Sequence, residues 1–141
     1  MKIWAGVDPG EKRIGVARSD PLGITGQPVA ILSSPEELVK LLQEWQEGHE
    51  LAGVVVGLPR NMDGSYGPMA QRSAKLVNYL REEISVGVWL WDERLTTRHL
   101  IGLRGGKRHH ERVDDQVAAL LLQSFLDAGA PQRPDPPELT S

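Results

Sequence analysis

The chain contains no cysteine, which excludes disulfides, thiolate metal sites and a cysteine nucleophile and fits a reducing, cytoplasmic setting. Any metal would have to sit on oxygen or imidazole ligands. No apolar run approaches the ~20 residues of a membrane span, and the N-terminus enters a strand pattern without a signal-peptide arrangement. The expectation is therefore a cytoplasmic protein with no membrane partner. Basic excess is also missing: 16 Lys and Arg face 19 Asp and Glu, a net charge of -3. A nucleic-acid role must then rest on local clustering of charge. Neither a Walker lysine-serine pair, nor a dinucleotide glycine fingerprint, nor an internal repeat occurs.

What is present suits a single domain with a substantial core in 141 residues. Ile3, Ala5 and Val7 alternate with Trp4, Gly6 and Asp8, the period of a strand. Pro9-Gly10 turns the chain before Ile14, Val16 and Ala17 resume the pattern, and Ile24 to Leu32 reads as a third strand after the turn Asp20-Pro21-Leu22-Gly23. Ser34, Pro35 and the acids Glu36 and Glu37 start a helix carrying Leu38, Leu41, Leu42 and Trp45 at helical spacing, stopped by Gly48. Leu51 to Leu58 is a continuous apolar run, the pattern of a strand covered on both faces. After the loop Pro59 to Ser65, with Ser65 the expected cap, a second helix runs to about Glu83, and Val86 to Trp91 is another strand. A weak helical stretch spans Thr97 to Leu103, and Val113 to Leu126 is a nearly apolar helix whose polar stripe is Gln116, Gln123 and Asp127. The order predicts an α/β fold, a five-stranded mixed sheet with helices on both faces. Residues 1–128 form the domain, and residues 129–141, rich in proline and polar residues, read as a disordered C-terminal tail.

The carboxylates fall at the ends of apolar elements. Asp8 ends the first strand, Glu93 follows the last, and Asp114 and Asp115 open the final helix. Side chains beyond the carboxyl ends of such strands line the crevice where ligands bind. Asp8 and Glu93 converge there if their strands are near neighbours. An Asp before Pro-Gly is also an ordinary turn former, and acids at a helix start also offset its dipole. Clustered carboxylates repel unless a cation sits among them, and hard divalent ions prefer oxygen ligands. Two such ions clamp the attacking and leaving oxygens of a phosphodiester, which is nuclease chemistry.

Four stretches together resemble one known family: Val7-Asp8-Pro9-Gly10-Glu11-Lys12-Arg13-Ile14-Gly15-Val16-Ala17, Gly57 to Ser65, Asp92-Glu93-Arg94-Leu95-Thr96-Thr97, and Asp115-Gln116-Val117-Ala118-Ala119 with Leu122 to Leu126. They look like the motifs of the bacterial YqgF family, also called RuvX, whose members are candidate pre-16S rRNA nucleases similar to the Holliday junction resolvase RuvC. The resemblance implies an RNase H-like (RuvC-like) fold and a nuclease using magnesium or manganese, two ions, on nucleic acid: pre-16S rRNA at its 5' end, or branched DNA. It makes Asp8, Glu93 and Asp115 the catalytic and metal-binding acids. Asp115 is set by standing three residues before Ala118, and Asp114 is the alternative. Asp92 is better read as an ion-pair partner of Arg94 or Arg98, with its side chain on the opposite face.

Basic residues concentrate between the second and third acids: Arg94, Arg98, Arg104, Lys107, Arg108 and Arg112, with His99, His109 and His110. Within this cluster Arg94, Arg104, Lys107 and Arg108 are candidate phosphate contacts, together with Lys12 and Arg13 beside Asp8 and Thr96 on the substrate backbone. A solvated basic loop, an Arg13 stem packed on the sheet and a helix-capping Thr96 or Thr97 are the plain structural readings of the same residues. Trp4, Trp45 and Trp89 read as core, and Trp91 is left open for base stacking. Two other readings compete with the nuclease: a phosphate-binding module of the actin or sugar-kinase type, which would need a second domain, and a non-catalytic ribosome-assembly factor. Symmetric junction cleavage would require a homodimer, on which the sequence is silent.

Overall fold

The computed structural model describes residues 2–61, 63–93 and 114–139, the side chains of Asp114 and Asp115 excepted. Its sheet has the strands β1 (Ile3–Pro9), β2 (Ile14–Ser19), β3 (Gly26–Leu32), β4 (Leu51–Leu58) and β5 (Gly87–Asp92). The order across the sheet is β3-β2-β1-β4-β5. β1, β2 and β3 pair antiparallel through the two tight turns, while β4 pairs parallel with both β1 and β5. This is the mixed sheet that the element order predicts. Helices α1 (Pro35–Glu47), α2 (Pro68–Glu83) and α3 (Asp114–Asp127) complete the fold.

Two cores flank the sheet. On one face Ala5, Val7, Val16, Val54, Val56 and Leu90 pack under the apolar stripes of α1 and α2. On the other, Ala17, Val55 and Trp91 meet Ala118, Leu121, Leu122 and Phe125 of α3. β4, central and buried along nearly its whole length, feeds both cores, which is why its sequence shows no alternation. α3 approaches closely because glycines lie beneath it: a Cβ at Gly6 would stand 2.8 Å from Leu122 Cβ, and one at Gly26 2.9 Å from the Ala119 carbonyl oxygen.

Local chemistry shifts several expected boundaries. β3 starts at Gly26 because the amides of Ile24 and Thr25 donate to the Asp20 carboxylate, at 2.7 and 2.9 Å, closing a side-chain turn. Ser34 caps α1 by accepting from the Glu37 amide at 3.2 Å, and the left-handed turn after that helix falls on His49, at φ 58°, one residue past Gly48. Ser65 does not cap α2. Its amide and hydroxyl both donate to Asp63, at 2.9 and 2.6 Å, and α2 begins after Gly67 with no side-chain cap. The Gln123 amide is more than solvated stripe: it accepts from Gly26 N–H at 3.0 Å and donates to the Ile24 carbonyl at 2.7 Å, pinning the start of β3 to α3.

The expected disordered tail is instead packed as far as Leu139. Asp135 takes both arms of the Arg81 guanidinium at 2.6 and 3.0 Å, Arg133 lies 5.0 Å from the Trp91 ring centre, and Leu139 is buried in the α1/α2 core. The segment thus passes from the α3 side to the α2 side across edge strand β5, whose Val88 carbonyl Arg81 also holds. Proline and polar content hid these anchors, and prolines that fit their native backbone lower the entropy lost on ordering. The Thr97 to Leu103 helix lies outside the described residues.

Candidate active site

Asp8 is on the α3 face of β1, aligned with Gly15 of β2 and one residue beyond the last pairing of β1 with β4, Val7 with Val56. Glu93 directly follows β5. β4 separates the two strands, so the acids are not on adjacent strands. They meet because Gly57 of β4 has no side chain: a Cβ there would stand 2.5 Å from Glu93 Oε1. The Glu93 side chain therefore lies across Gly57, and its carboxyl shares a hydrogen bond with Asp8. In the sequence Gly57 opens the second of the family-like stretches, and as a glycine inside a strand pattern it is a mark of close approach.

Burial pushes the Glu93 carboxyl above the ordinary glutamate range and the charge of Asp92 adds to this, while the bond to Asp8 works the other way. The donor set of Asp8 and Glu93 is all oxygen, the type that fits hard divalent ions. Among the described residues no group of three or more His, Asp or Glu gathers to hold a metal. Helix α3 starts with Asp114 and Asp115. Asp115 stands three and seven positions before Ala118 and Leu122, whose atoms lie nearest to Gly6.

Asp92 takes the opposite face, as expected. Its register partner is Leu58, and it pairs with Arg60 at 3.9 Å; the expected partners Arg94 and Arg98 lie outside the described residues. Arg60 is itself fixed by donating through Nε to the Gly64 carbonyl at 2.5 Å and by lying 4.6 Å from the Tyr66 ring centre. Lys12 and Arg13 are exposed on the turn after Asp8, and that turn closes with Gly10 N–H donating to the Arg13 carbonyl at 2.8 Å. Trp91 is no stacking platform. It is buried, donates to Ser124 Oγ at 3.0 Å and meets Phe125 edge-on at 5.6 Å. Trp45 is core, and Trp4 and Trp89 are half-buried, with the Trp4 ring over Gly53 and that of Trp89 over Gly87. Arg94, Thr96, Arg104, Lys107 and Arg108 lie outside the described residues.

The comparisons agree with this architecture. In fold the chain is similar to Thermus thermophilus RuvC in complex with Holliday junction substrate, with a TM-score of 0.58 at 14% identity over 96% of this chain and 100% of that one. It is likewise similar to the fowlpox virus resolvase in complex with Holliday junction DNA, with a TM-score of 0.52 at 13% identity over 92% of this chain and 99% of the other. This is the RuvC-like, RNase H-like fold. In sequence it is 41% identical to a candidate pre-16S rRNA nuclease of Pelotomaculum thermopropionicum, over 94% of this chain and 92% of the relative. A protein of the same name from Myxococcus xanthus is 44% identical over 92% of this chain and 91% of its own length. The family model described as RuvX, Holliday junction resolvase, matches residues 2–128. A match over that span, with relatives this similar along nearly their whole length, means that the chain belongs to the RuvX family.

Proposed function

We propose that this chain is a metal-dependent nuclease that hydrolyses phosphodiester bonds of structured nucleic acid, and that its substrate is pre-16S rRNA, trimmed at the 5' end. The observation that carries the reading is the meeting of Asp8 and Glu93 across Gly57 at the carboxyl ends of β1 and β5. A carboxylate pair drawn together over a bare strand is costly for a fold unless the pair has work to do. The names of the sequence relatives support the substrate.

Asp8, Glu93 and Asp115 are the acids that would hold magnesium or manganese, and the ions would supply activation of water and neutralisation of charge at the phosphodiester. Asp8, on rigid β1, sets the position of the site. Glu93 is seated over Gly57 beside Asp8. Lys12 and Arg13 extend from the turn next to Asp8 and hold the substrate's phosphates. Arg94, Thr96, Arg104, Lys107 and Arg108, between the second and third acids, contact the backbone further along, and the reaction takes place in the cytoplasm.

The likeness to a resolvase in complex with Holliday junction substrate favours a second reading, cleavage of four-way DNA junctions by a two-fold homodimer. The test is cleavage of labelled precursor rRNA and of a four-way DNA junction by wild type and by Asp8→Asn, with magnesium, manganese or chelator. Metal-dependent cutting of the RNA that vanishes in Asp8→Asn is expected. Preference for the junction would select the second reading, and binding without cutting would leave a non-catalytic assembly factor.

A further inference from the structure

A groove of about 360 Å³ opens beside the β1–β2 turn, on the side of α1 and α2. Its size falls within the range of small-molecule sites, roughly 300 to 1,000 Å³. The floor is apolar, built from Pro9, Ile14, Pro35 and Leu76, with the ring of Tyr79 in its wall. The rim is cationic: among the described residues, Lys12 and Arg13 of the turn and Arg72 and Lys75 of α2 stand against two acids, Glu11 and Glu36. Arg72 ties the two sides together by donating to the carbonyls of Glu11 at 2.9 Å and Gly10 at 3.4 Å. The groove is thus fixed to the turn that directly follows Asp8. Partial burial, with Glu36 and Glu83, pushes the Tyr79 phenol up.

An apolar floor with one aromatic ring and a rim of lysine and arginine matches a ligand that joins a flat ring to a phosphate. We propose that this groove binds a nucleotide, its base against Tyr79 and its phosphate held by Lys12, Arg13 and Lys75. Base stacking on an aromatic ring with cations along the backbone is how unpaired strands are held without sequence preference. The nucleotide has two sources: an unpaired stretch of the substrate strand, which rests on the nuclease reading above, or a free mononucleotide. None of the sequence motifs points to Arg72, Lys75 or Tyr79. They join the site only because α2 packs alongside the turn.

The test is fluorescence anisotropy of a short labelled single-stranded RNA with the full chain in chelator, so that binding is read without cleavage. Lys75→Glu is expected to weaken binding about tenfold and to lower the salt slope by about one. Lys40→Glu, the same charge change on an exposed α1 position outside the groove, is expected to leave binding within about twofold. Tyr79→Ala should weaken binding about tenfold and Tyr79→Phe restore it; thermal melts identify any loss of fold. Equal effects of Lys75→Glu and Lys40→Glu, or a Tyr79→Phe as weak as Tyr79→Ala in a folded protein, would overturn the proposal, as would wild type binding no RNA and no AMP. Competition by AMP assigns the groove to a free nucleotide, and binding of RNA alone assigns it to the strand. Wild type that binds through the groove yet never cuts would sink the nuclease reading and leave the groove standing.

Discussion

The two faces of the sheet are built on opposite plans. Towards α1 and α2 the strands present a broad aliphatic layer, Val7, Val16, Val54, Val56 and Leu90 among it, which removes apolar area from water and anchors the fold. Towards α3 they present Gly6, Gly53 and Gly57 between the larger residues. That face gives up buried area for nearness: α3 settles almost onto the backbone of β1, and Glu93 crosses β4 to reach Asp8. Its cohesion comes from Leu121 and Leu122 together with Phe125, which lies edge-on to Trp4 at 5.0 Å and to Trp91 at 5.6 Å. The stable face carries no chemistry at its centre, and the chemical face is held by a few large contacts, so substitutions on the latter should separate stability from activity.

The largest effect expected is from Phe125→Ala, which removes the ring joining both tryptophans and should cost about 3 to 5 kcal/mol; urea unfolding measures it, and a loss comparable to a surface change would mean that α3 is not anchored there. Asp8→Asn should lower cleavage by about 100- to 1,000-fold, the scale of removing one preorganised electrostatic contact, with an unchanged thermal melt. The pair sharpens the contrast between holding the face together and using it. Gly57→Ala should follow, since its Cβ would stand 2.5 Å from Glu93 Oε1 and displace that carboxylate. A loss of roughly 10- to 100-fold in rate is expected, in keeping with the sensitivity of catalysis to misplacement, with only a small change in Tm. Activity equal to wild type would show that Glu93 need not lie over β4.

Smaller effects probe individual polar groups. Ser124→Ala leaves the buried Trp91 N–H without its acceptor and should cost on the order of 1 to 3 kcal/mol, read by denaturant unfolding. For Glu93 the sign follows from burial. A carboxyl whose folded pKa lies above its ordinary value of 4.5 is destabilising in its charged form, and this penalty sets in as pH rises from the unfolded value through the folded one. Glu93→Gln in chelator should therefore raise the Tm at neutral pH, and the gain should disappear below the ordinary glutamate range. A constant gain at both pH values would assign the effect to packing.

Much of this was legible in the residues. Alternation in Ile3 to Asp8 placed Asp8 on one face, the continuous run Leu51 to Leu58 placed β4 inside the sheet, and Ser34-Pro35 marked the start of α1. These readings succeed because they depend on near neighbours in sequence, where period and capping act directly. The tail misled because its anchors, Asp135 on Arg81 and Leu139 in the core, are contacts 54 residues away or more widely spread, which composition cannot register. Ser65 misled because a nearer partner, Asp63, took its hydrogen bonds first.

The sequence by itself determined the element order and the faces of the strands, since both follow from local periodicity, and it put Asp8 and Glu93 at the ends of apolar elements. Only the tertiary structure decided that β4 lies between β1 and β5, that Gly57 is the gap through which Glu93 meets Asp8, and that α2 brings Arg72, Lys75 and Tyr79 alongside the β1–β2 turn. The reason is physical: strand order and helix docking are set by how distant apolar faces close over one another, and a glycine's missing side chain gains meaning only when another residue fills the space.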